Sequence, residues 1–232
     1  MTKIGIIGAM KEEVAKLKEQ MSEVTITSKA SMEFYEGILN GKAVVIVQSG
    51  IGKVNAAMCA QILTDIFAVD AIINTGIAGS LRNEINIGDI VVSTDAVQHD
   101  VDATEFGYPI GQIPQLDTLS FQADESLIAQ AIVSCHKVNN HIKVFKGRVV
   151  SGDQFIANSE VKERIILAFD GYCTEMEGAA IAQVAYLNDI PFVIIRAISD
   201  KADNSAQVDY PTFEKQAIVN SVKLVNHMIE VL

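Results

Sequence analysis

Several residue types that mark specialised protein classes are scarce in this sequence of 232 residues. It has no tryptophan, and aromatic residues make up only 6%, so the core must be built mostly from aliphatic side chains. The three cysteines, Cys59, Cys135 and Cys173, are odd in number and widely spaced, which argues against a disulfide framework and a zinc knuckle. We expect them to be buried thiols in a reducing compartment.

Metal-binding and membrane-spanning patterns are also lacking. The four histidines show no ligand spacing such as H-x-x-x-H, and Gly5-x-x-Gly8 is not a full dinucleotide fingerprint, so we expect no metal and no cofactor. No stretch approaches the ~20 apolar residues of a membrane span. The apolar run from Ile4 to Met10 is too short for a secretory signal. We therefore expect a cytoplasmic protein.

Positive charge is in short supply. Lysine and arginine number 18 against 29 acidic residues, which gives a formal net charge of −11 and a pI of about 4.8. Such a chain is repelled by the phosphates of nucleic acid and by anionic membrane surfaces. We expect neither as a partner. A neutral or zwitterionic small molecule is more compatible.

The hydrophobic pattern that is present alternates between strand-like and helix-like segments. It predicts a hairpin turned by Asn40-Gly41, a long loop from Gln98 to Pro114, and a last helix that begins near Pro211. The alternation favours one α/β domain over residues 1–232, with a central sheet flanked by helices. Predicted strands lie at residues 3–8, 35–39, 43–48, 71–74, 89–93, 143–150 and 192–198, and predicted helices at 11–20, 55–67, 125–135, 161–168 and 175–187.

Carboxylates cluster where these strands end. Glu12 and Glu13 follow the first strand, Glu175 and Glu177 open a predicted helix, and Asp200 closes a strand that also carries an arginine. Ligands of open α/β sheets bind beyond the carboxyl ends of the strands. Several carboxylates with one arginine suit glycosidic bond cleavage, in which an acid protonates the leaving group and a base activates water. The positive charge that develops on the sugar is stabilised by nearby carboxylates.

Each cluster also has a plainer interpretation. Glu12, Glu13, Glu175 and Glu177 could simply stabilise helix N-termini through the helix dipole. Asp200 could cap a helix or a turn.

Short motifs throughout the chain make a stronger case together. They are Ile4–Met10 with Glu13, Ser49–Val54, Ile73–Gly76, Phe106–Tyr108, Val150–Asp153 with Phe155 and Ile156, Glu175–Glu177, and Arg196–Asp200. In this order they make the chain resemble the 5'-methylthioadenosine/S-adenosylhomocysteine nucleosidases over nearly its whole length. The resemblance implies a nucleoside phosphorylase-type mixed central β-sheet flanked by helices, and a homodimer.

The same resemblance implies the reaction and its catalytic groups. The N-glycosidic bond of 5'-methylthioadenosine, S-adenosylhomocysteine and possibly 5'-deoxyadenosine would be hydrolysed to adenine and the ribose product, in methionine salvage and S-adenosylmethionine recycling. Glu13 would activate the water, and Asp200, held by Ser199, would protonate the purine. Glu177 would grip the ribose hydroxyls, and Arg196 would order the pocket and the water.

Other residues would hold the substrate by packing. By resemblance, Phe155 stacks on adenine, the Ile156 backbone reads its edge, and Met176 packs beneath the sugar. The remaining implied residues are Met10, Ile51 and Tyr210 in the 5'-alkylthio pocket, Ala103, Phe106 and Pro114 from the partner subunit, and Gly79 and Glu175.

Three positions depart from relatives. Ile77 stands where some relatives have a serine that holds the water network, Tyr210 replaces a common phenylalanine, and Ala103 replaces a valine. We expect effects on the water contacts and on tolerance for the 5' substituent.

Two other functions remain open. A phosphorylase of the same fold would need several cations for phosphate, whereas this chain has four arginines, of which only Arg196 lies in a site motif. A non-catalytic nucleoside-binding or storage protein should lack at least one of Glu13, Glu177 and Asp200, and all three are present.

Overall fold

The computed structural model describes residues 3–232, and its strands and helices alternate along most of that range. The strands are β1 (Lys3–Gly8), β2 (Ser22–Lys29), β3 (Met32–Leu39), β4 (Lys42–Gln48), β5 (Ala71–Ser80), β6 (Ile90–Gln98), β7 (Phe121–Gln122), β8 (Val144–Ser151), β9 (Cys173–Glu175) and β10 (Phe192–Asp200). The helices are α1 (Lys11–Glu19), α2 (Lys53–Asp65), α3 (Glu125–Val138), α4 (Ser159–Phe169), α5 (Gly178–Leu187) and α6 (Ala206–Val231).

One mixed sheet carries these strands. Its centre is parallel, in the order β4-β1-β5-β10, and every residue of β5 and β10 is buried. This burial on both faces explains the continuous apolar runs of the sequence. From β10 the sheet continues through β6, β8 and β9 and returns to β5, which gives it a closed, barrel-like portion. The hairpin of β2 and β3 extends the other edge beyond β4.

Helices cover both faces of the sheet. Helix α2 packs against α5, whereas α1 and α3 pack against α6. The core is mostly aliphatic, as expected from a chain without tryptophan, and Phe34 and Phe121 are its largest fully buried aromatic residues. Each fully buried leucine or isoleucine, such as Leu17 or Ile73, stabilises the fold by roughly 1.5–3 kcal/mol. Cys59, Cys135 and Cys173 are free and buried, as predicted.

The hairpin prediction is confirmed, because Asn40 and Gly41 both adopt positive φ angles, of 50° and 78°, between β3 and β4. The prediction for α6 was wrong. It begins at Ala206, so Pro211 lies inside the helix rather than in its first turn. Strand β2 was not predicted because all of its residues are exposed, and it pairs through its backbone without a buried face.

The segment around Glu175 also differs from its prediction. Glu175 ends the short strand β9, and α5 begins three residues later at Gly178. Within residues 3–232 none of the helices is both long enough and apolar enough to cross a membrane.

Candidate active site

A cavity of about 490 Å³, the carboxylate cavity, opens where β1, β5, β9 and β10 end. It brings together most of the predicted site residues, namely Met10, Glu13, Ile51, Gly79, Phe155, Glu175, Met176, Glu177, Ser199, Asp200 and Tyr210. It is also lined by Ala9, Ile77, Ala78 and Thr174. Position and lining therefore agree with a ligand site at the carboxyl ends of parallel strands.

Glu13 occupies the first turn of α1, and its carboxylate accepts two backbone N–H groups. Its Oε2 accepts the backbone N–H of Met10 at 2.9 Å, which stabilises the helix start, while Oε1 accepts the N–H of Ile77 at 3.2 Å. A side chain at Gly76 would come within 2.6 Å of Oε1, so glycine there makes room for the carboxylate. Glu13 is 4% exposed, and burial raises its pKa although Arg196 lowers it.

Glu177 lies just before α5 with its carboxylate against the cavity. Its Oε1 accepts the N–H of Gly52 at 2.8 Å. Burial, followed by repulsion from Glu175, raises its pKa to about 7, although Arg196 and the Gly52 N–H act in the opposite direction. A change of protonation at this residue therefore falls in the neutral pH range.

Glu175 and Arg196 form a buried ion pair beneath the cavity. The Arg196 Nε lies 3.1 Å from Glu175 Oε2, and one terminal nitrogen makes a shorter contact with the same oxygen. The guanidinium also donates to Asn74 Oδ1 at 2.5 Å, and Glu175 accepts the Gly178 N–H at 2.8 Å. Arg196 is 1% exposed and does not line the cavity itself. The pair is a structural tie with little hydrogen-bonding capacity left for a ligand.

Asp200 faces the cavity from the end of β10, where the pairing with β5 slips between Ile198 and Asp200. Such bulges redirect side chains near functional sites. Its Oδ1 accepts the Ala202 N–H at 2.7 Å, and its Oδ2 accepts the Ser199 hydroxyl at 2.9 Å. Burial raises its pKa despite these two donors. A side chain at Gly79 would come within 2.7 Å of Oδ1, so Gly79 provides the space for Asp200.

The mouth of the cavity is apolar. The rings of Phe155 and Tyr210 meet edge to face with centroids 5.7 Å apart, and the Tyr210 hydroxyl lies 3.5 Å from Met10 Sδ and 3.3 Å from Glu214 Oε1. Phe155 and Ile51 are 52% and 54% exposed, so each has free surface for a further contact. Ile156 is buried outside the lining.

Besides Arg196 and Ile156, three more predicted residues do not line this cavity. Ala103, Phe106 and Pro114 lie on the segment that follows β6, where Thr104–Phe106 form a short 3₁₀ helix. Phe106 is 84% exposed and Ala103 is buried. Their contribution to the site of a second subunit remains a prediction.

Two residues near the cavity were not singled out from the sequence. Ser151 donates to Glu175 and accepts the Ala179 N–H at 2.7 Å. Thr174 lines the cavity, and its buried hydroxyl oxygen has no hydrogen-bond partner within residues 3–232. Ser151 belonged to a quoted motif without a role, whereas Thr174 gave no sequence signal.

A second cleft, of about 450 Å³, contains polar groups of a different kind. It is lined in part by Asp95, Lys146, Arg148 and Asp170. Arg148 Nη2 lies 2.6 Å from Asp95 Oδ2, Lys146 pairs with Glu125, and Asp170 pairs with Arg82. Every charged group that lines this cleft therefore has a partner of opposite sign.

The carboxylate cavity can perform proton transfer. Glu13, Glu177 and Asp200 are buried carboxyls whose pKa values are raised, and within the described residues no cation lies at salt-bridge distance from any of them. Buried carboxyls whose pKa values are raised are suited to general acid and base catalysis. Over residues 3–232 no His, Cys, Asp and Glu residues are grouped in a way that could hold a metal ion.

Comparisons with known proteins point to the same chemistry. The family model of the phosphorylase superfamily matches residues 3–230. A 5'-methylthioadenosine/S-adenosylhomocysteine nucleosidase from Anoxybacillus flavithermus is 46% identical over 99% of this chain and 98% of its own length. One from Staphylococcus aureus is 44% identical over 99% and 100%.

A crystal structure confirms the expected nucleoside phosphorylase-type fold. It is the corresponding nucleosidase from Neisseria meningitidis in complex with methylthio-immucillin-A, with a TM-score of 0.96, 42% identity and full coverage of both chains.

Proposed function

Since this chain belongs to the 5'-methylthioadenosine/S-adenosylhomocysteine nucleosidase family within the phosphorylase superfamily, we propose that it hydrolyses the N-glycosidic bond of 5'-methylthioadenosine and S-adenosylhomocysteine. The products are adenine and the 5'-thio-substituted ribose. The observation that carries the proposal is the surplus of buried carboxyls in one cavity, Glu13, Glu177 and Asp200, without a cation paired to any of them in the described chain.

The geometry supports a separate role for each of these three groups. Glu13 takes a proton from water as the water oxygen bonds to the anomeric carbon. The electrons of the breaking C–N bond pass to adenine, which receives a proton from Asp200. Burial raises the pKa of both carboxyls. A raised pKa makes the Glu13 carboxylate a stronger base and keeps Asp200 protonated up to a higher pH, so burial supports both roles. Glu177 holds the ribose hydroxyls and favours the positive charge on the sugar.

Hydrolysis is favoured over phosphorolysis because no lysine or arginine of residues 3–232 lines the carboxylate cavity. Arg196, the nearest cation, is already committed to Glu175 and Asn74. A phosphate dianion in this cavity would lie beside three carboxyl groups and would have no unpaired lysine or arginine of residues 3–232 to bind it.

Adenine release tests the proposal. We expect the protein to release adenine from 5'-methylthioadenosine in phosphate-free buffer with a chelator, at the same rate as with added phosphate. A requirement for phosphate and a ribose 1-phosphate product would indicate a phosphorylase. Tight binding without cleavage would indicate a nucleoside-binding protein. S-adenosylhomocysteine and 5'-deoxyadenosine in the same assay establish the preferred substrate.

We propose further that the protein works as a homodimer in the cytoplasm. Apolar side chains are exposed on two segments, with Val54 77%, Phe106 84% and Ile110 41% exposed. Exposed apolar side chains that form a patch usually mark an interface. The free, buried cysteines suit a reducing compartment. Sedimentation at micromolar concentration should give about twice the chain mass of 25.1 kDa, and a monomer would contradict the proposal.

A further inference from the structure

Three loops, which precede α2, follow β6 and follow β8, are joined by a closed ring of polar contacts that takes no part in the mechanism above. The first and the third contribute Ile51 and Phe155 to the carboxylate cavity. Its members are Lys53, Asp100 and Asp153, which we call the loop clasp. Asp153 Oδ1 accepts the backbone N–H of Lys53 at 2.8 Å, and Asp100 Oδ1 lies 2.6 Å from Lys53 Nζ. Asp100 Oδ2 accepts the backbone N–H of Asp153 at 2.9 Å, which closes the ring.

The clasp supplies a hydrogen-bond acceptor for the first backbone N–H of α2. The first backbone N–H groups of a helix have no partner within the helix, and Gly52, the residue before α2, has no side chain to cap them. Asp153, 100 residues further along the chain, provides the acceptor. Gly52 has a φ angle of 96°, and a side chain there would come within 3.0 Å of Asp153 Oδ1, so both conformation and space require glycine.

The residue next to Lys53 is hydrogen-bonded to a carboxylate of the cavity. The Gly52 N–H donates to Glu177 Oε1 at 2.8 Å, and Gly52 is the residue next to Lys53. The loop after β8 also packs closely against the loop after β6. A side chain at Gly152 would come within 2.5 Å of the His99 ring and 3.1 Å of Asp100 Cγ. The orientation of one N–H group therefore depends on contacts among three loops.

We propose that Lys53, Asp100 and Asp153 are positioning residues for Glu177, which act by holding the Gly52 N–H against its carboxylate so that the other carboxylate oxygen faces the ribose hydroxyls. The role of the ribose rests on the proposed function, whereas the link from the clasp to Glu177 does not. Small displacements of a group that orients substrate are costly in rate, because reactive geometry is held within fractions of an ångström.

The link can be measured without substrate. Glu175, Arg196 and Glu13 are the charged groups around Glu177, and the Gly52 N–H is its hydrogen-bond donor. In protein labelled with ¹⁵N-glycine, the Gly52 amide signal should titrate with Glu177, with a midpoint at about 7. Asp153→Ala should move this midpoint to higher pH, because a carboxylate that loses a donor is protonated more easily. An unchanged midpoint would overturn the proposal.

Kinetics test the consequence. Asp153→Ala should lower kcat/KM for 5'-methylthioadenosine by about tenfold. The loss should be smaller for the 2'-deoxy analogue, which offers Glu177 one hydroxyl fewer. In a Glu177→Ala background, Asp153→Ala should have almost no further effect, because the two residues act through one contact. Equal losses for both substrates, or additive losses in the double variant, would show that Asp153 is only a structural cap.

Two further variants control for stability. Asp153→Asn keeps an acceptor for the Lys53 N–H and should behave like the original protein. Asp124→Ala removes the same kind of contact far from the cavity, where Asp124 Oδ1 accepts the Leu127 N–H at 2.9 Å at the start of α3. It should lower the melting temperature without changing the preference between the two substrates. If the wild-type protein releases no adenine, the proposed function fails, and the Gly52 titration still decides the role of the clasp.

Discussion

The carboxylate cavity and the second cleft each contain a buried carboxylate held by an arginine, but they balance charge differently. In the second cleft Arg148 is paired with Asp95, and Lys146 and Asp170 have partners as well. Beneath the carboxylate cavity Arg196 pairs with Glu175, and over residues 3–232 no cation lies at salt-bridge distance from Glu13, Glu177 or Asp200. The charges of the second cleft therefore stabilise one another, whereas the carboxylate cavity contains carboxyls without a paired cation.

Burial of a carboxylate without a paired cation lowers the stability of the folded protein. Each of these three groups is pushed toward its protonated form, and burial is the largest cause in every case. Charge without compensation is found where function requires it, because proteins retain such groups despite their effect on stability. The comparison therefore predicts that substitutions in the cavity change turnover, whereas those in the second cleft change stability.

Glu13→Gln tests the comparison most severely. The amide keeps the size of the side chain and can still accept the Met10 or Ile77 N–H, but it cannot take a proton from water. We expect turnover to fall by up to about 10⁴-fold while substrate binding persists. Steady-state kinetics and equilibrium binding give the two quantities.

The matched control is Asp95→Asn in the second cleft, which weakens the contact with Arg148. It should lower the melting temperature and leave kcat unchanged. If both variants lost turnover equally, or neither did, the distinction between the two regions would be lost.

Asp200→Asn should have the next largest effect, a loss of turnover of about 10³-fold. Asparagine can still accept the Ala202 N–H, so the turn that follows β10 should persist. It cannot supply a proton to the departing purine. Turnover and melting temperature of this one variant separate the two possible roles, because a residue that only caps the turn would tolerate the change without loss of activity.

The position of the cavity could be predicted from the sequence because it depends on local patterns. Glu13 and Asp200 each follow an apolar strand, and such strand ends meet at one edge of the sheet. The sequence could not separate Glu175 from Glu177, which stand two residues apart in one motif. Glu175 is tied to Ser151 and Arg196, 24 and 21 residues away, and only the fold brings these partners together.

Other features were missed for similar physical reasons. The contact of Asp153 with Lys53 spans 100 residues and involves a backbone N–H, which no side-chain pattern encodes. Strand β2 pairs with β3 but has no buried face, so hydrophobic periodicity does not reveal it. Pro211 was assigned to a first turn by a statistical rule, whereas the helix begins five residues earlier at Ala206, without a side-chain cap that the sequence could have revealed.

Glu177→Ala should lower kcat/KM for 5'-methylthioadenosine by about 10²–10³-fold, because two charge-assisted hydrogen bonds to the ribose are removed together. A 2'-deoxy substrate makes one of these bonds fewer and should lose less. Rates for the ribo and 2'-deoxy substrates with each protein measure the difference. Identical losses would place the 2'-hydroxyl out of reach of Glu177 and weaken the case for the cavity as a sugar site.

Glu177→Gln sharpens the comparison through stability. The pKa of Glu177 is raised from an ordinary 4.5 to about 7. Folding therefore favours the protonated carboxyl, and this stabilisation is complete below pH 4.5 and lost as the pH rises through about 7.

Glutamine at position 177 mimics the protonated form at every pH and can still accept the Gly52 N–H. The variant should thus be more stable than the original protein at pH 8, by at most about 3 kcal/mol, and at pH 5 by less than about 1 kcal/mol. Urea unfolding at both pH values measures the gain. Glu84→Gln, at an exposed glutamate in the turn between β5 and β6, should follow the original protein at both. A gain of the same size at pH 5 and pH 8 would mean that the glutamine packs better, and that buried charge at Glu177 costs the fold nothing.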